Sequence, residues 1–228
     1  MLGKRILMVV LAAVGLMVAV PHGAAAGTVS WDATADFTDA NGNPNGAWTY
    51  GWMDSAFTTF TADLASNHNS DGIWWFPTSS VGFGVWKNGS TTASYEVQPG
   101  DISLHPGNNG EATIVRWTAP AGISGDASIV GAFLAGDRGS MAVAVRQNNS
   151  PIWSAVDAGA FDLTRRVAPG DTIDFAVYGG YYYGNTPLRA TISVTDITAV
   201  PTPAAGLGGL ALLGGIGGLR LLGRKARA

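Results

Sequence analysis

The 228-residue sequence contains no cysteine and few charged side chains. Without cysteine, the chain has no disulfide, no thiolate to bind a metal and no cysteine nucleophile. Charged residues make up 13% of the chain, against roughly 25% in typical soluble domains. The fold must therefore be stabilised by apolar packing and hydrogen bonds.

Basic residues are scarce outside the two ends of the chain. Six of the 13 Lys and Arg residues lie near the ends: Lys4, Arg5, Arg220, Arg224, Lys225 and Arg227. The stretch 27–199 keeps the other seven and all 16 acidic residues, which gives it a formal charge of about −9. A surface of this sign repels phosphate backbones, so we expect no nucleic-acid partner.

Sequence motifs of common enzymes are also missing. There is no Gly-x-Ser-x-Gly elbow and no glycine loop for phosphate. The two histidines after residue 26, His68 and His105, lack the spacing of zinc ligands, and turn or surface positions are expected for both. We therefore predict no catalytic residue and no enzymatic activity.

The acidic residues keep an enzymatic alternative open. Glycoside hydrolysis needs only two suitably placed carboxylates, and 16 acidic residues could supply such a pair by chance. Asp174 alternates with Ile173 and Phe175, and this pattern predicts that its side chain faces solvent. A secreted glycan-active enzyme is the third hypothesis for the function.

The first 26 residues have the pattern of a signal peptide. Lys4 and Arg5 form a basic start, residues 6–20 are uncharged and apolar, and Ala24 and Ala26 are the small residues that cleavage requires. We expect signal peptidase as a partner and an exported mature chain. A retained N-terminal membrane anchor is the alternative.

The last 29 residues form a tail of three parts. It begins with a proline motif formed by Val200, Pro201, Thr202, Pro203 and Ala204. An apolar segment follows, and 204–222 is predicted to form a transmembrane helix. The tail ends in a basic cluster formed by Arg220, Arg224, Lys225 and Arg227. Basic residues stay on the cytoplasmic side of a membrane, so the body of the chain is expected outside.

This tail resembles the PEP-CTERM sorting signal of Gram-negative bacteria, in its Val-Pro-x-Pro-Ala variant. Thr202 stands where the usual motif has Glu. The resemblance implies an inner-membrane intermediate, recognition of the proline motif by an exosortase-type processing enzyme, and delivery to the cell surface or the medium. A plain C-terminal membrane anchor is the alternative.

The body of the chain, 27–199, contains segments that alternate apolar and polar residues, as half-buried strands do. The clearest are 112–117, 127–133, 141–146, 172–178 and 189–194. Turn-forming residues separate them, and no long amphipathic helix stands out. This pattern predicts an all-β fold, an antiparallel β-sandwich of jelly-roll type, flanked by the signal helix and the hydrophobic C-terminal helix.

Three short motifs of the body add a second resemblance. They lie at 43–51, 101–107 and 167–175, and the first reads Asn-Pro-Asn-Gly-Ala-Trp-Thr-Tyr-Gly. They resemble motifs in a group of exported bacterial β-sandwich domains that often end in the same sorting tail. The fold of that group is similar to carbohydrate-binding modules. The resemblance implies a fold and a secreted setting, and no particular ligand.

Neighbouring aromatic residues suggest two places for glycan binding. One is the pair Trp74 and Trp75, and the other is the tract Tyr181, Tyr182 and Tyr183. The apolar C–H faces of sugar rings stack on exposed aromatic planes. On a strand, the two Trp side chains point to opposite faces, so one should be buried and the other available. The alternative is that these aromatic residues fill the core.

One loop has the alternating oxygen ligands that calcium prefers. Asp39, Asn41 and Asn43 lie two residues apart in the sequence. The loop is not an EF-hand, because its Gly is misplaced and Tyr50 stands at the twelfth position. A turn explains the same composition. We predict no cofactor, with calcium in this loop as the alternative.

These features together predict an exported protein of a bacterial cell surface or extracellular matrix. Its expected role is structural or adhesive, without catalysis, in an exopolysaccharide-associated layer. A protein similar to a carbohydrate-binding module is the alternative. Extracellular polysaccharide is the expected ligand, and an acidic surface rich in aromatic residues suits neutral or basic glycans better than acidic ones.

Overall fold

The computed structural model describes residues 27–78, 83–137, 140–180 and 184–195. The predicted signal peptide, the sorting tail with its transmembrane helix, and Tyr181, Tyr182 and Tyr183 all lie outside these residues. Within the described part no residue is helical, and that part contains no helix able to cross a membrane.

The described residues form 14 β-strands in two antiparallel sheets. The strands are β1 (Thr28–Asp32), β2 (Trp48–Met53), β3 (Phe60–Ala62), β4 (Ala65–Asn69), β5 (Gly72–Phe76), β6 (Gly84–Asn88), β7 (Ile102–His105), β8 (Ala112–Thr118), β9 (Gly125–Phe133), β10 (Ala142–Gln147), β11 (Ser150–Val156), β12 (Gly159–Val167), β13 (Thr172–Tyr178) and β14 (Thr186–Thr195). The predicted all-β, sandwich-like fold is therefore confirmed.

The larger sheet is organised around β14. Its order is β12-β9-β14-β7-β6-β5-β4, and β1 also pairs with β14. The first part of β14 pairs with β7 and the second part with β1, while β9 follows the other side. Thr28 pairs with Thr195, so the first and last described strands end side by side. The smaller sheet has the order β11-β10-β13-β8-β2-β3.

Apolar side chains on the inner faces of the two sheets form the main core. The inward residues of β14 are all buried, namely Leu188, Ala190, Ile192 and Val194. The largest fully buried side chains include Trp48, Tyr50, Trp117, Phe133 and Phe175. Burying each such apolar side chain contributes about 1.5–3 kcal/mol. The strong alternation of the sequence therefore reflects one face of each strand packing into this core.

The expectation that Asp174 faces solvent is wrong. Asp174 lies on the outer face of β13 but is fully buried, because Arg116 of β8 covers it. Nε of Arg116 donates to Oδ1 at 2.6 Å, and Nη2 donates to Oδ2 at 2.8 Å. The guanidinium in turn lies 4.0 Å from the ring centroid of Phe60. Phe57 and Phe60 pack over this outer face, so the smaller sheet is covered on both sides here.

Asp63 is a second buried carboxylate, and it lacks such a partner. It follows β3, where the chain crosses from one sheet to the other, and is 2% exposed. Its backbone N–H donates to the Tyr50 carbonyl, and its carbonyl accepts from Asn43 Nδ2. Neither carboxylate oxygen has a hydrogen-bond partner among the described residues. Burial alone raises the pKa of Asp63 from 3.8 to about 7.

The raised pKa of Asp63 predicts that stability depends on pH. Between 3.8 and about 7 the folded protein keeps a proton that the unfolded chain releases. Stability from this group is therefore fully present below about pH 4 and is lost as the pH rises to about 7, by on the order of 4 kcal/mol. Asp63→Asn should remove this loss and leave the variant more stable than the parent at about pH 8.

Urea unfolding of both proteins at about pH 5 and about pH 8 measures the effect. Asp162→Asn is the matched control, because Asp162 is exposed on β12 and should leave the pH profile of the parent unchanged. Parallel pH profiles for Asp63→Asn and the parent would contradict the prediction.

Candidate functional site

The adjacent residues Trp74 and Trp75 point to opposite faces of β5. Trp75 is buried in the core, where Nε1 donates to the Thr38 carbonyl at 3.1 Å and the ring stacks beside Tyr50. Trp74 lies on the outer face of the sheet and is half-buried. Trp75 therefore presents no face to solvent, whereas Trp74 belongs to the protein surface.

Trp74 is one member of an aromatic group that crosses two strands. It pairs directly with Trp86 of β6, and the two rings stack with centroids 5.0 Å apart and an interplanar angle of 19°. Tyr95 meets Trp86 edge-on, with centroids 6.3 Å apart. Trp86 is buried between its neighbours, while Tyr95 is 61% exposed. We call Trp74, Trp86 and Tyr95 the aromatic platform; a ligand can reach Trp74 and Tyr95.

A tight hairpin between β4 and β5 sets the position of Trp74. Asn69 pairs with Gly72, and the Asp71 amide donates to Asn69 Oδ1 at 2.8 Å, as in an Asx-turn. Gly72 has φ +138°, and a Cβ there would collide with the carbonyl oxygen of Lys87. Gly72 therefore lets β5 approach β6 closely enough for the two Trp rings to stack.

Trp86 is held by its own hydrogen bond and by the loop that follows β6. Its Nε1 donates to the Asp71 carbonyl at 3.1 Å. Asn88, which is 1% exposed, donates from Nδ2 to the carbonyls of Thr92 and Val97 at 3.0 and 2.8 Å. These bonds fold residues 89–97 back toward the sheet and bring Tyr95 beside Trp86.

Tyr95 sits in a turn that its residue type does not favour. Ser94 and Val97 exchange two backbone hydrogen bonds of 3.0 and 2.9 Å around a two-residue turn. The residues of the turn, Tyr95 and Glu96, have φ of 51° and 63°. Turns of this geometry favour Asn-Gly, and left-handed conformation costs other residues about 1–2 kcal/mol each. Strain of this kind concentrates at functional sites, which points to Tyr95 and Glu96.

The rim of the platform is acidic. Asp71 and Glu96 are both exposed next to platform residues, and the described residues 64–78 and 88–100 contain no Lys or Arg. Lys87, the neighbour of Trp86, is turned toward Thr34, whose carbonyl accepts from Nζ at 2.7 Å. Burial lowers the pKa of Lys87, and Asp32 and Asp36 partly oppose this shift. The charged end of Lys87 therefore contacts the segment that follows β1.

A shallow cleft of about 620 Å³ lies between the end of β1 and the start of β7, and Lys87 is one of its lining residues. Its charged lining residues are already paired. Arg189 donates to both carboxylate oxygens of Asp101, at 3.0 and 2.8 Å. Asp32 accepts from the amides of Thr34 and Ala35. These contacts connect loops to the sheet, and we place the candidate site at the aromatic platform.

The residues of the proposed calcium loop are engaged in contacts within the fold. Asn43 Oδ1 accepts from the Tyr50 amide at 2.9 Å, and Asn41 Nδ2 donates to Asn45 Oδ1 at 3.0 Å. Asp39 lies 3.5 Å from Nδ1 of His68. In the part of the chain that the structure describes, no three acidic or His side chains form a group suited to a metal. Calcium binding in this loop stays the alternative to the prediction of no cofactor.

The other sequence-predicted residues are placed as follows. His68 is exposed on β4, and His105 is partly buried at the end of β7, with Nδ1 2.9 Å from the Pro106 carbonyl. Burial lowers the pKa of His105. The hydrogen bond with the Pro106 carbonyl and the negative charge of Asp137 act in the opposite direction and are smaller. The tyrosine tract, the cleavage alanines and the residues of the sorting motif and basic end lie outside the described residues.

The strain in the turn at Tyr95 predicts that Glu96→Gly stabilises the protein. Glycine adopts positive φ without a steric penalty, so relief of strain should raise the free energy of unfolding by about 1 kcal/mol. Gln98→Gly is the matched control, because Gln98 is exposed in the same loop but lacks positive φ. It should destabilise by about 0.5–1 kcal/mol. Urea unfolding measures both, and equal losses for the two variants would contradict the prediction.

Comparison with known proteins shows only distant similarity. No family model and no curated protein matches the sequence. A family 35 carbohydrate binding module from Clostridium thermocellum is 12% identical, with 44% of this chain and 82% of that chain covered and a TM-score of 0.30. Isomalto-dextranase of Arthrobacter globiformis T6, complexed with panose, is 10% identical, with coverages of 75% and 32% and a TM-score of 0.33. Bushbaby GITRL is 9% identical, with coverages of 65% and 95% and a TM-score of 0.26. Similarity this distant carries no argument about function.

Proposed function

We propose that this chain is an exported, non-catalytic surface protein whose β-sandwich adheres to extracellular polysaccharide through the aromatic platform. The observation that carries the proposal is the outward-facing Trp74, stacked on Trp86 and accompanied by the exposed Tyr95. Aromatic faces of this kind accept the apolar C–H faces of sugar rings. The non-catalytic part rests on the missing enzyme motifs in the sequence.

The shape of the platform favours a polymer over a small molecule. Small-molecule sites are concave and enclose most of their ligand. The platform instead lies on the outer face of a sheet, where the half-buried Trp74 and the exposed Tyr95 both contact Trp86. A polysaccharide offers the same sugar unit many times, so weak stacking contacts can be repeated by neighbouring protein molecules.

The positions of the chain ends suit an adhesive role. Thr28 and Thr195 pair, so segments before and after the sandwich leave it at one end. Trp86 lies opposite Ser103, which pairs with Pro187, eight residues before Thr195. At about 3.3 Å per residue, the platform is about 26 Å from that end along the strands. An attachment of the processed chain at this end would leave the platform free to contact a ligand.

The finer part of the fold prediction, a jelly roll, is also part of this proposal. Strands β7 to β14 follow the order β7-β14-β9-β12 in one sheet and β8-β13-β10-β11 in the other. Successive strands alternate between the sheets except at the β10–β11 hairpin. This connectivity supports an eight-stranded double-sheet jelly roll. The strands β4, β5 and β6, which carry Trp74 and Trp86, extend one of its sheets.

The proposal predicts that polysaccharide binding depends on Trp74. The purified mature protein should be retarded in gels containing a neutral polysaccharide from a panel of such polymers. Trp74→Ala should weaken binding about tenfold or more, because it removes one of the two rings of the platform that a ligand can reach. Trp74→Phe should keep part of the affinity. Leu64→Ala is the control, since Leu64 is 77% exposed and lies outside the platform. Retardation of Trp74→Ala equal to that of the parent would reject the platform as the site.

The sorting part of the proposal predicts two cleavages. Intact-mass analysis of the protein from its own host should find a chain that lacks residues 1–26 and the tail after about residue 203. This species should occur in surface or medium fractions. A membrane-bound chain that retains the tail through Ala228 would show a plain anchor and would exclude the exosortase route.

A further inference from the structure

We infer that the aromatic platform selects amino-sugar polymers whose amino groups are free and positively charged. This inference rests on the proposed glycan-binding function and narrows the ligand to one chemical class. It follows from two carboxylates at the platform, from the absence of cations around them in the described residues, and from the aromatic faces themselves.

Both carboxylates belong to residues next to contacts of the central ring, that of Trp86. The backbone carbonyl of Asp71 accepts the hydrogen bond from Trp86 Nε1, and the Asp71 side chain is exposed. Glu96 directly follows Tyr95, whose ring meets Trp86 edge-on. The turn that holds Glu96 is closed by two backbone hydrogen bonds, which fix the backbone conformation at Glu96.

The described residues near the platform leave both carboxylates without a neutralising cation. No ion pair of the described residues involves Asp71 or Glu96. Lys87 donates to the Thr34 carbonyl, and Arg189 is paired with Asp101. Neither carboxylate is therefore neutralised by an ion pair within the described residues, and a cationic ligand at the platform would be attracted to both.

The exposed rings favour the same kind of ligand. The face of a Trp or Tyr ring attracts ammonium groups through its quadrupole, and aromatic cages recognise ammonium ligands in this way. Trp74 and Tyr95 thus provide stacking for the sugar ring and attraction for its charge. Acetylation of the amino group removes the charge but keeps the ring, and a uronic-acid polymer would be repelled by Asp71 and Glu96.

A pair of matched ligands tests the inference. Titration calorimetry of the full mature protein would use a β-linked glucosamine oligomer and the fully N-acetylated form of the same oligomer, at a pH where the free amines are protonated. The glucosamine form should bind about three- to tenfold more tightly, and added salt should reduce this difference. The double variant Asp71→Asn with Glu96→Gln should lose most of this preference, and the part that remains comes from the rings of Trp74 and Tyr95. Asp162→Asn, exposed on β12, should keep the preference of the parent.

The outcomes separate this inference from the proposed function. Equal affinity of the parent for both oligomers, with loss of both in Trp74→Ala, would overturn the amino-sugar preference and leave the platform in place. A preference that is undiminished in the double variant, or that disappears in Asp162→Asn, would also overturn it. If neither oligomer nor any polymer of the neutral panel binds, the glycan-binding function itself falls.

Discussion

The short ladder between β7 and β14 is the pairing through which the platform joins the rest of the sheet. Three residues of β14, Thr186–Leu188, pair with β7, and β6, β5 and β4 follow outward from it. So short a ladder is weak by itself. The strands are held because their inward side chains, including Trp75, Val85 and Leu104, enter the same core as the main sandwich. A register slip of one residue would exchange Trp74 with Trp75, so burial of Trp75 also specifies which ring faces solvent.

A chain without disulfides depends on how its buried charges are compensated. Asp174 and Asp63, two of the three buried carboxylates of the described residues, differ in this respect. The carboxylate of Asp174 accepts hydrogen bonds from Nε and Nη2 of Arg116. Removal of one partner from such a buried pair typically costs about 3–5 kcal/mol of stability. Asp63 has no charged partner among the described residues, and its burial raises its pKa to about 7. Backbone bonds to Tyr50 and Asn43 hold the crossover at Asp63 in place, and its side chain contributes none of them. The paired charge is therefore part of the fold, whereas the unpaired one lowers stability near neutral pH.

The sequence was sufficient to predict those strands in which apolar and polar residues alternate. The segments expected as strands are found as β8, β9, β10, β13 and β14, and the prediction that one Trp of the pair at β5 is buried agrees with the structure. The prediction for Asp174 failed because alternation tells which face a residue lies on but not whether another segment covers that face. Trp86 was visible as an aromatic residue, but its stacking on Trp74 depends on strand register. Tyr95 lies in a polar loop and carries no sequence signal, since its position depends on the hydrogen bonds of Asn88 and on an unfavourable turn.

The platform consists of a buried ring that is held in place, Trp86, and of exposed groups around it. Trp86 is fixed by Asp71 and by close packing at Gly72, and Asn88 holds the loop that carries Tyr95. Side chains that are already ordered lose little entropy when a ligand binds, so even a small stacking surface can yield useful affinity. The strained residues, Tyr95 and Glu96, both reach solvent, so the backbone strain lies where the proposed ligand would make contact. A turn optimised for stability would contain Asn-Gly here and would lack both the ring and the carboxylate that the platform presents.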